Sequence, residues 1–326
     1  MFLGTRGRAL KTGKKKSINT TARNGRTAQA TSAVRKPAAK SAIFSSPEAK
    51  SIKNEICAAG RKLWMRQYVD GNGGNISFRI GPNAVLCTPS LVSKFDLTPA
   101  DICLTDIDGH QVAGSKPRSS ELLLHLEIYK AVPEAKAVVH CHPPHATAYA
   151  ITGCLPPNLI IPEFEVIVGN VAVAPYETPG TKAFAETVLP YVKNHNTMLL
   201  ANHGIVCWAD TVTRAEWCAE VLDTYCWTLM LAAQLGAPIL RISEERGADL
   251  RALRKKLGLP EFPLDMPPLS DANLAVQSPI ALKHAPYDGN HASGSVSGVD
   301  LQVLVQSVTE SVMQAITEKY TLAPRK

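Results

Sequence analysis

The stretch Ala137-Val138-Val139-His140-Cys141-His142-Pro143-Pro144-His145 decides how the rest of the chain is read. Val138 and Val139 are β-branched and suit a pleated, buried surface. Pro143 and Pro144 end the run, so a short buried strand followed by a loop is expected. Side chains alternate along a strand, so His140 and His142 face the same way, about 7 Å apart along the chain. Two imidazoles at one strand end can share a metal ion. Equally, each can be satisfied in place by backbone groups. Glu121 upstream and Asn202-His203-Gly204 downstream favour the metal.

Upstream of that strand, Ser119-Ser120-Glu121 leads into an apolar-periodic helix expected over Leu122–Ala131, with Ser119 or Ser120 as its cap. Free N–H groups, two hydroxyls and nearby Lys116 and Arg118 suit an anion there. Glu121, in the first turn, would also complement the helix dipole. Ser45-Ser46-Pro47-Glu48 starts an earlier helix that should run to about Tyr68. Asp70-Gly71-Asn72-Gly73-Gly74-Asn75 ends it. Its glycines let the backbone approach phosphate oxygens, or simply make a tight turn. Strands are expected over 76–80, 84–88 and 102–107, with Asp108-Gly109 as a hairpin turn. Thr88-Pro89-Ser90 offers hydroxyls from a loop.

Downstream, a short helix is expected over 146–152, two strands within 158–176, and a helix over 183–192. A strand over 197–201, its hairpin partner over 205–208 and a long helix from Thr213 to about Leu235 follow. Strands and helices mix without strict βαβ alternation. The expected fold is therefore α/β, a three-layer sandwich with a central, mostly antiparallel sheet and helices on both faces.

His140, His142 and His203 each fall at the end of an apolar strand, where loops gather. Three imidazoles with one carboxylate, Glu121, make a plausible zinc shell. A divalent cation bridging a carbonyl and an adjacent hydroxyl would acidify the neighbouring C–H and stabilise an enediolate, and a carboxylate would move the proton.

The charge is divided along the chain. Residues 1–47 hold eleven of the 35 Lys and Arg and none of the 28 Asp and Glu, so the remainder carries 24 basic against 28 acidic residues. The basic leader, 1–44, has too few large apolar residues to offset its ordering entropy and is expected to be disordered. No secretory signal or membrane span is expected, and a cytoplasmic setting is. For the basic leader an acidic partner, an anionic membrane, an organelle transit role or no partner stay open, with nucleic acid the less expected. Eight scattered cysteines, with no C-x-x-C pair, read as reduced core residues. After a body at 45–258 come a proline-rich segment and flexible linker, 259–298, and one amphipathic helix, 299–318, with Leu301, Leu304, Val305, Val308, Val312 and Ile316 in a stripe.

Six motifs in order carry a resemblance: Gly73-Gly74-Asn75-Ile76-Ser77, Thr88-Pro89-Ser90, Ser119-Ser120-Glu121, the His140-Cys141-His142 strand, Ala174-Pro175-Tyr176 and Asn202-His203-Gly204. Over residues ~47–240 the chain resembles the class II aldolase/adducin family. The resemblance implies one zinc on His140, His142 and His203, with Glu121 as ligand and acid/base. It implies a phosphate pocket from Gly74, Asn75, Ser90, Ser119 and Ser120, and a homotetramer. It implies a lyase splitting L-fuculose 1-phosphate or L-rhamnulose 1-phosphate into dihydroxyacetone phosphate and L-lactaldehyde. An L-ribulose-5-phosphate 4-epimerase-like enzyme and a non-catalytic adducin-like scaffold are the alternatives; a scaffold would have no need of the metal set. Two departures stand out. Leu91 replaces a glycine of the family's phosphate loop, so a glycine-only conformation should be lost there. No Tyr occupies Pro162-Glu163-Phe164-Glu165, where the aldolase has one to serve the aldehyde half. The tethered helix at 299–318 resembles peptides that carry enzymes to the shell of a bacterial microcompartment, which would place the enzyme in its lumen.

Overall fold

A computed structural model describes residues 42–261. Of the leader expected to be disordered over 1–44, residues 1–41 lie outside the described residues, as do the linker and the amphipathic helix at 299–318, whereas 42–44 form a helical turn whose Ile43 and Phe44 pack against the core. Helix α1 (Pro47–Met65) begins where the sequence marks it. Ser46 Oγ accepts from the Ala49 N–H at 3.1 Å and Pro47 fills the first turn. Strands β1 (Asn75–Gly81), β2 (Ala84–Cys87), β3 (Cys103–Thr105) and β4 (Gln111–Ala113) follow. Then come α2 (Leu122–Ala131), β5 (Ala137–Cys141), α3 (Pro144–Thr152), α4 (Pro162–Ile167), β6 (Ala172–Ala174) and α5 (Lys182–Glu186). The hairpin β7 (Thr197–Leu200) and β8 (Gly204–Ala209) and helices α6 (Val212–Gln234) and α7 (Glu244–Lys256) complete the described residues.

The eight strands form one sheet in the order β4-β3-β2-β1-β5-β8-β7-β6, antiparallel throughout except for β6 beside β7. Strand β5 is central, with Asn75 opposite His140 on one side and Val206 opposite it on the other. Alternation along β5 sorts its side chains to two cores. Ala137, Val139 and Cys141 pack with residues of α1, α3, α4 and α6, whereas Val138 packs with α2 and α5. This is the expected α/β arrangement of a mostly antiparallel sheet with helices on both faces. It turns His140 toward α2, the helix that Glu121 opens.

Several boundaries depart from expectation. Pro143 and Pro144 do not extend into a loop: Pro143 sits at the cap and Pro144 opens α3, since proline suits the first helical turn. The first of two strands expected within 158–176 is the helix α4. The β-branched run suggested a strand, but Pro162 opens a helical turn after the extended Ile161, and Gly169 closes it at φ 72°. Phe164, fully buried, stacks on Tyr225 with centroids 4.0 Å apart, a contact that outweighs local propensity. The helix expected over 183–192 ends at Glu186 and continues as turns. Helix α7, not foreseen, starts at the Ser243 cap, and Arg254 ties it to α4 by donating to the Val166 carbonyl at 2.8 Å. None of the eight cysteines forms a disulfide, and all but Cys154 are buried. Among the described residues no helix is long and apolar enough to cross a membrane.

Candidate metal centre

His203 is delivered to the end of β5 by a tight reversal between β7 and β8. Leu200 pairs with Gly204, the His203 N–H donates back to the Leu200 carbonyl at 3.0 Å, and Asn202 takes φ 56°. Asparagine tolerates that left-handed conformation better than most residues. Gly204 has to be glycine for another reason: a Cβ there would lie 2.5 Å from the Cys141 carbonyl oxygen and 2.7 Å from His142 Cδ2. On the other flank the glycine turn leans on the same strand. Gly74, at φ 68°, leaves room for Val69 and the His140 carbonyl, and the His142 N–H donates to the Tyr68 carbonyl at 2.7 Å. The turn therefore serves close packing against the histidine strand, whatever else it binds.

The three histidines converge. One ligand nitrogen from each of His140, His142 and His203 lies within 4.8 Å of the others. His140 Nδ1–H donates to the Ile205 carbonyl at 2.8 Å, which fixes the tautomer and points Nε2 into the cluster. That Nε2 is 3.1 Å from His142 Nε2 and 3.1 Å from Glu121 Oε2, while His203 Nε2 is 4.0 Å from Glu121 Oε1. Asn75 Nδ2–H donates to Glu121 Oε2 at 3.0 Å and orients the carboxylate. Burial alone would raise the Glu121 carboxyl, but the hydrogen bond to His140, the charges of His140 and His203 and the Asn75 amide hold it down at about 2. Burial lowers His142 to about 3 and His203 to about 4, and the neighbouring imidazoles add to that. An ionised carboxylate beside imidazoles that resist protonation, as His142 and His203 do, is the form in which such groups bind a metal. The donor set thus fits a divalent cation: three converging imidazoles with a carboxylate beside them.

Ser90, Ser119 and Ser120, expected to hold phosphate, lie on two adjoining loops, the second of which leads into Glu121. Loops 88–91 and 117–120 run side by side. Ser119 N–H donates to the Thr88 carbonyl at 3.1 Å, Ser90 N–H to Pro117 at 2.9 Å, and Ser90 Oγ to Arg118 at 2.9 Å. Neither Ser119 nor Ser120 is the helix cap; that position is Glu121, with no side-chain cap, and Ser119 Oγ accepts from the Glu121 N–H at 3.3 Å. Ser120 is exposed and abuts Gly180 of the loop after β6. Asn75 is brought to the cluster, where its amide donates to Glu121. Leu91 keeps the left-handed turn expected to need glycine, at φ 56° and with its side chain in solvent. Near the cluster, His125 is fully buried and joined through Ser77 Oγ to Tyr129 OH, both contacts at 2.7 Å.

Sequence reasoning passed over Lys94. It is 1% exposed, and its ammonium donates to the Asn72 carbonyl at 3.0 Å and the Val92 carbonyl at 3.1 Å. Burial lowers it to about 8, with Glu121 pulling the other way. The available signal was a lone lysine four residues after Ser90 of Thr88-Pro89-Ser90.

The family described as Class II Aldolase and Adducin N-terminal domain matches residues 54–230. The chain is similar to the 3-oxo-tetronate 4-phosphate decarboxylase of Haemophilus influenzae, 38% identical over 177 residues, which is 53% of this chain and 84% of that protein. It is similar to the L-fuculose phosphate aldolase of Methanococcus maripaludis, 39% identical over 170 residues, covering 52% of this chain and 89% of that one. Among solved structures, an L-fuculose 1-phosphate aldolase superposes with a TM-score of 0.57 at 28% identity, over 64% of this chain and 97% of that chain.

Proposed function

Since the chain belongs to the class II aldolase and adducin family, whose relatives here are lyases, we propose that it cleaves the carbon–carbon bond between the α and β carbons of the ketone of a phosphorylated sugar or sugar acid. Our preferred substrates are L-fuculose 1-phosphate and L-rhamnulose 1-phosphate, split to dihydroxyacetone phosphate and L-lactaldehyde. The observation that carries this reading is the convergence of three imidazole nitrogens within 4.8 Å, with Glu121 Oε2 3.1 Å from one of them.

In this reading His140, His142 and His203 would hold the metal, with Glu121 beside them, and zinc suits an all-imidazole set. When bound, the cation supplies Lewis-acid polarisation of the substrate's carbonyl and adjacent hydroxyl oxygens. The chain's own residues do the rest. Glu121, held ionised and aimed by Asn75, exchanges a proton with the carbon from which the aldehyde departs. Ser90, Ser119, Ser120 and the backbone N–H groups at Gly74 bind the phosphate and set that carbon against Glu121. Asn75 serves the carboxylate more than the phosphate.

The similarity to a decarboxylase supports a second reading with the same core chemistry. A 3-oxo acid 4-phosphate that loses carbon dioxide leaves the same hydroxyl-bearing carbon beside the ketone, and protonation there again gives dihydroxyacetone phosphate. A coupled assay for dihydroxyacetone phosphate therefore reads both reactions, and the co-product, aldehyde or carbon dioxide, separates them. Release from L-fuculose or L-rhamnulose 1-phosphate, abolished by chelator and restored by zinc, is expected. Release only from 3-oxo-tetronate 4-phosphate would replace the aldolase reading, and no release from any of the three would overturn both and send L-ribulose 5-phosphate to the assay next.

The same proposal includes a homotetramer and a shell-protein contact through residues 299–318 in a microcompartment lumen. The partly exposed Trp64 and Phe95, with rings 4.6 Å apart, support self-association. Light scattering reads the tetramer. Deleting residues 288–326 should leave activity intact and abolish shell binding; lost activity would assign the segment to the catalytic unit.

A further inference from the structure

Lys94 is a cation in the wrong place for a purely structural lysine. It lies in the protein interior, and among the described residues no carboxylate is within salt-bridge distance of its ammonium. An ammonium carries three donors, and two of them meet carbonyls. Carbonyl dipoles compensate a buried charge only in part, so the group is held in a state that an anion would relieve. Its two acceptors are informative. Asn72 belongs to the glycine turn that leans on His140 and His142, and Val92 directly follows the loop that carries Ser90. Lys94 therefore joins the two loops assigned above to phosphate. The carboxylate that acts on it electrostatically is Glu121, which is already engaged by His140 and Asn75.

We propose that Lys94 is the buried counter-charge for the substrate's phosphate: its ammonium fixes the turn at Asn72 to the loop at Val92 and gives its third hydrogen to a phosphoryl oxygen. This rests on the reading that these loops bind phosphate and adds the charge that hydroxyls and backbone N–H groups do not supply. A phosphomonoester is a dianion near neutral pH, so the ligand class is a phosphate ester rather than a monoanionic carboxylate.

The test uses the full chain and its Lys94→Met and Lys94→Gln variants. Methionine keeps the length without charge, and glutamine keeps donors for the two carbonyls. Inorganic phosphate and glycolate are titrated by calorimetry, with melting temperature and zinc content measured alongside. A charge-assisted hydrogen bond corresponds to a roughly ten- to hundredfold change in affinity. The expected result is wild-type binding of phosphate, weakened by that factor in both variants, with glycolate, melting temperature and zinc content little changed. Equal phosphate affinity in wild type and variants would overturn the role of Lys94 and leave the phosphate pocket standing. Loss of glycolate binding alone would also overturn it, by making Lys94 a carboxylate partner. A wild-type chain that binds no phosphate would remove the pocket and this proposal together. If one variant does not fold, the other decides.

Discussion

Replacing Gly204 by alanine would set a methyl carbon 2.5 Å from the Cys141 carbonyl oxygen, 2.7 Å from His142 Cδ2 and 3.3 Å from His142 Cα. Two of the three contacts are to backbone, so no side-chain rotation relieves them. Non-bonded carbon atoms rest at about 3.5–4.0 Å, so β8 and the end of β5 have to part by close to an ångström. Overpacking of this kind costs about 1–3 kcal/mol. For a domain of this size that is a fall of roughly 2–12 °C in melting temperature. The strain falls on His142, so zinc affinity should drop too, by roughly 10–100-fold, as when the support of a ligand is disturbed. Gly81→Ala is the control, since its Cβ would meet only Ala84 Cβ at 3.6 Å, and a change of less than about 0.5 kcal/mol is expected. Thermal unfolding with and without chelator, together with zinc competition against a chromophoric chelator, gives both numbers. A Gly204→Ala chain with wild-type melting temperature and zinc affinity refutes the steric argument. A lower melting temperature with unchanged zinc affinity means that the strain relaxes away from His142.

Three other outcomes are expected. Glu121→Gln should keep its zinc and lose about 10²–10⁴-fold in turnover; unchanged turnover in the coupled assay would remove the carboxylate from the chemistry. Chelation should lower the melting temperature and added zinc restore it, with about 4 kcal/mol gained when free metal is a thousandfold above its dissociation constant; no shift would count against a preformed site. Glu216 supplies a pH test away from the centre. Burial and the neighbouring Glu220 raise its carboxyl to about 7 against the pull of Lys62, from 4.5. Between those two values the unfolded chain releases a proton that the folded chain keeps, so this group removes stability as pH rises through the window. Glu216→Gln should gain in melting temperature over wild type between pH 5 and pH 8, and an advantage independent of pH would contradict the shift.

The central strand, the helix behind Glu121 and the hairpin carrying His203 were legible because short continuous apolar runs at Val138-Val139, 197–201 and 205–208, and a 3.6-residue period over Leu122–Ala131, are written directly into the sequence. Caps did the same for α1 through Ser46 and Pro47. What escaped was decided by partners distant in sequence. Helix α4 ends in the β-branched run Val166-Ile167-Val168, which suggests a strand, and the seat that Tyr225 offers Phe164 adds to Pro162 and Gly169 in making it helical. Helix α7 buries only Gly247 and Arg254, so it has no apolar stripe to read, although Ser243-Glu244-Glu245 and Arg254-Lys255-Lys256 mark its two ends. The three converging histidines could be read from strand ends. That Asn75 turns to Glu121, and that Lys94 points inward, depends on how three loops meet, which no local pattern encodes.

One contrast bears on how such a chain can change over generations. His140 is wholly buried at the end of a strand paired on both sides, whereas Leu91 and Tyr176, on neighbouring loops, are 84% and 55% exposed. Substitutions in exposed loops typically alter stability by less than about 0.5 kcal/mol, while those in a packed interior cost several times more. Positions such as Leu91 and Tyr176 are therefore open to trial at little risk to folding, and His140 is not. A lineage built on this frame can rewrite its exposed loops far more cheaply than its histidine strand.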